Sequence, residues 1–393
     1  DPLAPRTSHR WSASTVSDTE SKMVRPSRTK LILLSSRAAT TVQGYEEPCG
    51  MSEGVLESLL PCRKPGRVRE HRGVTATVSP LEQLSEALRT ELGAKAVTDL
   101  ARLSGGASRE TWSFRADDRP LILQRQRKGD IRDMGVEARV VQAAFNAGVP
   151  VPELIANGSG DIGLAFMILS HIEGETIARK ILRDEQFAEA RSGLVAQSAH
   201  ALAALHSIDA STITGLPSID QVQQYRETLD NLNSALGQAH PTFELAFRWL
   251  ERNRPTSTRN ALVHGDFRLG NLMVGPDGLR AVLDWELAHI GDPIEDLGWL
   301  CVRAWRFGAT KPVAGLGEYE TLIAEYEKAS GLKVDREVVR WWEVLGTLKW
   351  GIMCMVQTSS HVLGMSRSHE LAAIGRRVCE NEYDLFLALD GKW

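Results

Sequence analysis

The sequence has no apolar run approaching the roughly 18–20 residues that cross a bilayer. Its longest early run, Leu31-Ile32-Leu33-Leu34, is too short for the core of a secretory signal. No membrane partner is therefore expected. Cysteine is scarce: five in 393 residues, at Cys49, Cys62, Cys301, Cys354 and Cys379. The number is odd, the spacing wide, and no CxxC occurs, which argues against a disulfide framework or a zinc knuckle. Cys301 and Cys354 fall in apolar helical patterns and read as buried thiols. A reducing, cytoplasmic setting fits best. Positive charge is not in excess either: the formal net charge is −4. That leaves no overall footprint for nucleic acid. No internal repeat is visible, and the oligomeric state is not legible.

What remains is ordinary for a soluble globular chain: 42% hydrophobic and 24% charged residues. The length allows one large domain or two lobes with sizeable cores. Residues 1–79 stand apart. The first 80 residues hold 12 Lys+Arg against 8 Asp+Glu, are rich in Ser, Thr, Arg and Pro, and lack sustained periodicity. Such a stretch buries too little apolar area to offset the ordering of its backbone, so disorder is expected. Its few acids before Glu46 also suit a targeting peptide. Met23 and Met51 are both plausible starts, so part of this segment is expected to lie outside the mature protein.

Ordered structure is expected from Pro80. Leu81, Leu84, Leu88 and Leu92 share one helical face, with Ser79 as N-cap and Gly93 as stop. Two β-like runs follow, ETWSFRA and PLILQRQ, joined around Asp117-Asp118. A helix from about Val136 to Asn146 ends at Gly148 and Pro150. ELIAN and AFMILSHI read as two more strands. Residues 80–172 thus form a small sheet-rich lobe. Residues 173–393 read as a larger, mostly helical lobe, with long helices at FAEARSGLVAQSAHALAALHSI and HPTFELAFRWLERN. A short β interruption spans Ala261 to Trp285, turning at GPDG, and helices resume from Pro293. A sheet-rich lobe followed by a helical one implies a cleft between them, where small-molecule sites form.

Inside that β interruption lies HGDFRLGN, His264 to Asn271. Asp266 and Asn271 are five residues apart, and Asp284 ends the next strand in VLDWE. Phosphoryl transfer needs a carboxylate at the acceptor hydroxyl and oxygen ligands for magnesium, which this pattern supplies. A lone Asp in a turn is usually a cap or an Asx-turn, and a lone Asn after Gly a turn residue. The joint pattern, with strand, turn and second strand-end aspartate, favours catalysis. His264 reads as a brace for the loop. Asp292 and Asp296 read as loop and helix caps, and His206 as a helix-end packing residue. Trp299, Trp305, Trp341, Trp342 and Trp350 read as core rather than substrate-stacking residues.

HGDFRLGN followed by LDWELAHIGDPIEDLGWL resembles the aminoglycoside phosphotransferase and choline kinase family, relatives of protein kinases. The resemblance is strongest to the branch that includes the kinase-like domain fused to some acyl-CoA dehydrogenases, and it covers roughly Leu100 to Leu389. It implies an α+β, bilobal, protein-kinase-like fold. It implies transfer of the γ-phosphoryl of ATP or GTP to a hydroxyl of a small molecule, with Mg2+. Asp266 is then the base or positioning carboxylate, and Asn271 and Asp284 the metal ligands. Arg268 meets an anionic group or ties the loop down. Gly105, Gly106, Ala107 and Ser108 form the phosphate-covering loop. Glu137 orients a cation from the neighbouring strand, and backbone groups of Ser170 to Ile172 meet the base. The acyl-CoA-dehydrogenase-linked branch points to a hydroxyacyl thioester or similar acceptor.

One part departs from the family. Gln124 stands where the third strand should carry a cation. Its neighbour Arg125 should point to the opposite face, so a one-residue register shift is needed to bring it into the cleft; with that shift Arg125 or Arg127 is expected to be the nucleotide-binding cation. Arg109 or Arg268 could compensate. Without a cation, a nucleotide-binding pseudokinase is the alternative. A protein kinase is disfavoured by HGD in place of HRD and by the lack of Ala-Pro-Glu after Asp284.

Overall fold

The computed structural model describes residues 79–103, 109–127, 132–256 and 259–392. The expectation of disorder before Ser79 falls outside these residues, as do Gly105, Gly106, Ala107 and Ser108. The order begins with α1 (Pro80–Leu92), β1 (Val97–Leu103), β2 (Arg109–Ala116) and β3 (Arg119–Gln126). Then come α2 (Met134–Asn146), β4 (Leu154–Gly160) and β5 (Gly163–Ser170). Helix α1 starts where Ser79 and Glu82 close a reciprocal capping box, and it stops at Gly93, whose φ is 60°.

The five strands form one antiparallel sheet in the order β1-β2-β3-β5-β4. Strand alternation sorts its two faces. Phe114, Leu121, Leu123 and Ile168 pack with Leu84 and Leu88 of α1. Met167 turns the other way, onto Met134 and Ala138 of α2. Helix α2 therefore lies on the sheet face opposite α1.

The larger lobe opens with α3 (Ala178–Arg183), α4 (Ala188–His206), α5 (Gln221–Leu236) and α6 (Pro241–Arg252). Four short strands follow: β6 (Ala261–Val263), β7 (Leu272–Gly275), β8 (Gly278–Val282) and β9 (His289–Gly291). They pair as β6-β9 and β7-β8. The chain ends with α7 (Ile294–Cys301), α8 (Tyr319–Ser330), α9 (Arg336–Val362), α10 (His369–Ile374) and α11 (Arg377–Leu389). The β7-β8 hairpin is buried against α4 by Leu272, Val274 and Val282. Helix α9 runs through a second core with Phe243, Phe247, Val344, Leu348, Ile352 and Leu385. Cys301 and Cys354 are buried, as their apolar settings imply.

Close packing of α7 on α9 depends on Gly298. A Cβ there would lie 2.5 Å from Cβ of Trp342 and 2.9 Å from the backbone nitrogen of Glu343. Gly298→Ala is expected to destabilise the chain by about 1–3 kcal/mol through overpacking. A denaturation midpoint equal to wild type would contradict this account of the α7–α9 contact.

Candidate active site

The loop between β6 and β7 is held from below. Asp296, fully buried on α7, accepts from the backbone N–H of His264 (2.8 Å) and of Gly265 (2.9 Å), and pairs with His206 Nε2 at 3.1 Å. Burial opposes its ionisation, but the His206 contact and the neighbouring His264 hold its carboxyl below the ordinary range. Asp292 caps α7 by accepting from Ile294 N at 2.9 Å. Both aspartates thus do the loop and cap work read from the sequence. Gly265 has φ 79°, and a Cβ on it would sit 2.5 Å from the Leu287 carbonyl oxygen. Only glycine passes this corner without strain.

His264 is fully buried and bonded at both ring nitrogens. Its Nδ1 accepts from Asp266 N (3.1 Å), so Nε2 carries the proton and donates to Leu283 O (3.1 Å). Burial lowers its pKa, which keeps the ring in that neutral form. The histidine ties the loop to the residue before Asp284.

Asp266 is the focus of the loop. Its carboxylate accepts from Trp299 Nε1 (2.8 Å), Arg268 Nε (3.0 Å) and Asn271 Nδ2 (2.7 Å). Arg268 in turn lies over Trp305, its Cζ 4.7 Å from the ring centroid. Arg268 therefore ties the loop down through Asp266. Trp299 and Trp305 are core residues by burial, yet Trp299 also fixes the direction of Asp266, a role the sequence reading misses.

Asn271 turns its amide nitrogen to Asp266, also donating to the Asp266 carbonyl at 3.0 Å. That leaves its amide oxygen for a cation. The Leu283 N–H donates to the Asn271 carbonyl (2.8 Å), placing Asp284 beside Asn271. Asp284 has φ 67°, a left-handed backbone uncommon outside glycine. Burial first, then Glu286, Asp266 and Glu137, push its carboxyl up to about 7. One carboxylate and one amide oxygen suit Mg2+, which keeps most of its shell for water and phosphate. Among the described residues no cluster of three or more His, Cys, Asp or Glu has a metal-holding arrangement. The donor set fits a cation shared with a substrate, not an all-protein cage.

Across the cleft, Glu137 near the start of α2 forms a bidentate ion pair, but with Arg109 of β2. Arg109 and Glu137 are each 6% exposed. The register explains the choice. Arg109 pairs with Gln126 and Thr111 with Gln124, so Arg109 and Gln124 share a face, and Arg109 Nη1 reaches Gln124 Oε1 at 3.4 Å. Arg125 takes the face of Leu121 and Leu123. It bonds Glu110 (Nε to Oε2, 2.6 Å) and the Ile162 carbonyl (3.1 Å), 5.6 Å from the Trp112 ring centroid. Arg125, offered above as the nucleotide-binding cation, therefore faces away from Glu137, because strand alternation holds and no register shift occurs. Arg127 is exposed at the strand end.

The chain between the lobes narrows the other expectation. Ser170 N–H donates to Glu153 O and its hydroxyl accepts from Glu153 N, both at 2.9 Å, which ties Ser170 to the chain entering β4. Ile172 follows just beyond the strand. Two further residues go unread in the sequence. Lys349 of α9, 3% exposed, donates to the Gly265 carbonyl (2.9 Å), lies 3.4 Å from Glu295 and sits 4.5 Å from the Trp299 ring centroid. The signal was available: a lone lysine in the apolar stretch VLGTLKWGIMCMV. Glu286, two residues after Asp284, bridges the lobes by pairing with Arg132, and lies 3.8 Å from Arg109.

Residues 99–342 match the model of the Phosphotransferase enzyme family. Mouse acyl-CoA dehydrogenase family member 10 is 30% identical over 263 residues, which cover 63% of this chain and 24% of that protein. The chain thus spans about a quarter of that relative's length. A Ralstonia eutropha protein assigned as an aminoglycoside phosphotransferase superposes with a TM-score of 0.63 at 21% identity, over 79% of this chain and 98% of its own. A spectinomycin phosphotransferase solved with ADP and spectinomycin superposes with a TM-score of 0.57 at 12% identity, over 78% and 98%. The fold is the kinase-like bilobal α+β arrangement, and the chain belongs to the phosphotransferase enzyme family.

Proposed function

We propose that the chain transfers the γ-phosphoryl group of ATP or GTP to a hydroxyl of a small metabolite, with Mg2+. The observation that carries the proposal is the convergence on Asp266. Its carboxylate is oriented by Trp299, Arg268 and Asn271, and Asp284 stands beside Asn271. Asp266 would position the acceptor hydroxyl and take its proton. Asn271 and Asp284 would hold the metal, which neutralises charge on the phosphates. Most of the rate would come from positioning and charge stabilisation. The spectinomycin phosphotransferase of the same fold, solved with ADP, supports a nucleotide in the cleft. The residues proposed for it are the loop Gly105 to Ser108 and the Ile172 backbone. The acyl-CoA dehydrogenase relatives favour a hydroxyacyl thioester as acceptor.

A second reading, a nucleotide-binding pseudokinase, rests on Gln124. A screen of hydroxylated metabolites and hydroxyacyl thioesters with γ-labelled ATP and GTP separates the two. Label is expected to pass to at least one acceptor, and only with Mg2+ present. Thermal stabilisation by nucleotide without any labelled product across the panel would favour the pseudokinase.

A further inference from the structure

The cation that the family pattern expects on the third strand is absent, since Gln124 occupies the place. Its geometric role is not vacant. Arg109 lies on the adjoining strand, on the same face, and its Nη1 contacts the Gln124 side chain. It pairs with the helix glutamate, Glu137, through both terminal nitrogens. It faces Glu286 across the cleft and feels the charge of Asp284. It is also the first residue after the glycine-rich stretch Gly105 to Ser108.

One donor is left over. Arg109 Nε is buried and has no hydrogen-bond partner among the described residues. A buried guanidinium N–H without an acceptor is costly and uncommon. Its neighbours Glu137 and Glu286 are already engaged, with Arg109 itself and with Arg132. A nucleotide phosphate oxygen is an acceptor of matching charge for that donor. Guanidinium also suits phosphate better than most donors, because its planar N–H groups match the oxygens.

We propose that Arg109 is the phosphate-binding cation of the nucleotide site, moved from the third strand to the second, with Gln124 as its neutral neighbour. The proposal rests on the phosphotransferase reading and deepens it. It removes the main ground for a pseudokinase, because the missing cation is supplied from one strand away.

The test compares a nucleoside diphosphate with its nucleoside by calorimetry, using ADP and adenosine, and GDP and guanosine in parallel. In Arg109→Gln the diphosphate is expected to bind about 10- to 100-fold more weakly, the loss of one charge-assisted contact. Nucleoside affinity should stay at the wild-type value. Equal diphosphate affinity in variant and wild type overturns the proposal. So does an equal loss for nucleoside and diphosphate, which marks Arg109 as a brace for α2 only.

Removing one partner of a buried pair can unfold the lobe. Arg109→Gln combined with Glu137→Gln avoids the unpaired charge. It should show the same selective loss, and recovery of diphosphate affinity in it would overturn the proposal. Arg109→Gln with Gln124→Arg restores a cation on the third strand, and should regain most of the affinity. If wild type binds neither diphosphate, the nucleotide reading itself falls, a result separate from any difference between variants.

Discussion

Asp266→Ala is expected to slow phosphate transfer by about 10²- to 10⁴-fold, the usual contribution of a positioned acid–base group. Nucleotide affinity should change little. The geometry predicts this separation. Asn271 donates to the Asp266 backbone carbonyl as well as to its carboxylate, so Asn271, proposed to hold the metal, stays anchored when the side chain is cut. The loop is independently tied by Asp296 to two backbone N–H groups and by Lys349 to the Gly265 carbonyl. The fold should therefore survive, which circular dichroism and a melting curve check. Retained transfer in a folded variant would remove Asp266 from its proposed role.

Asp284→Asn is expected to abolish the dependence of nucleotide binding on Mg2+ and to reduce transfer by a similar or larger factor. Asp284 shares its surroundings with Glu286, Asp266 and Glu137, and burial and their repulsion lift its carboxyl to about 7. Such a group gains most from a nearby cation, because the metal relieves both the burial cost and the repulsion. With asparagine the charge crowding falls, so the variant should be no less stable than wild type without metal. A variant that still binds nucleotide more tightly with Mg2+ would place the metal on other ligands.

The loop from His264 to Asn271 was legible because its pattern is local. His264, Asp266 and Asn271 lie within eight residues, and a turn between strands fixes them wherever the rest of the chain goes. Helix α1 was legible for the same reason: cap, apolar period and stop are all in one stretch. Helix α5 was not anticipated from the sequence, although Asp220, Gly237 and the spacing of Val222, Leu229 and Leu232 carry its signal. Helix α3 is only six residues and shows no full period. Strand β1 is mostly exposed and bulged, so alternation is lost there.

The partner of Glu137 was not legible. Which cation meets it depends on the pairing of β2 with β3, a register that neither strand states alone. From the sequence Arg125 or Arg127 was the expected cation, with Arg109 and Arg268 only as substitutes, and the cation found on Glu137 is Arg109. The fold separates them, sending Arg125 to the α1 face and Arg268 to Asp266. Lys349 was missed for a related reason: it is 84 residues from the loop it braces.

The most direct test of the account is the Mg2+ dependence of nucleotide binding to the wild-type chain. ADP and GDP would be titrated calorimetrically, once with Mg2+ and once with a chelator. At least one is expected to bind, Mg2+ to tighten it, and the tightening to disappear in Asp284→Asn. Binding of equal strength with and without Mg2+ would contradict this expectation.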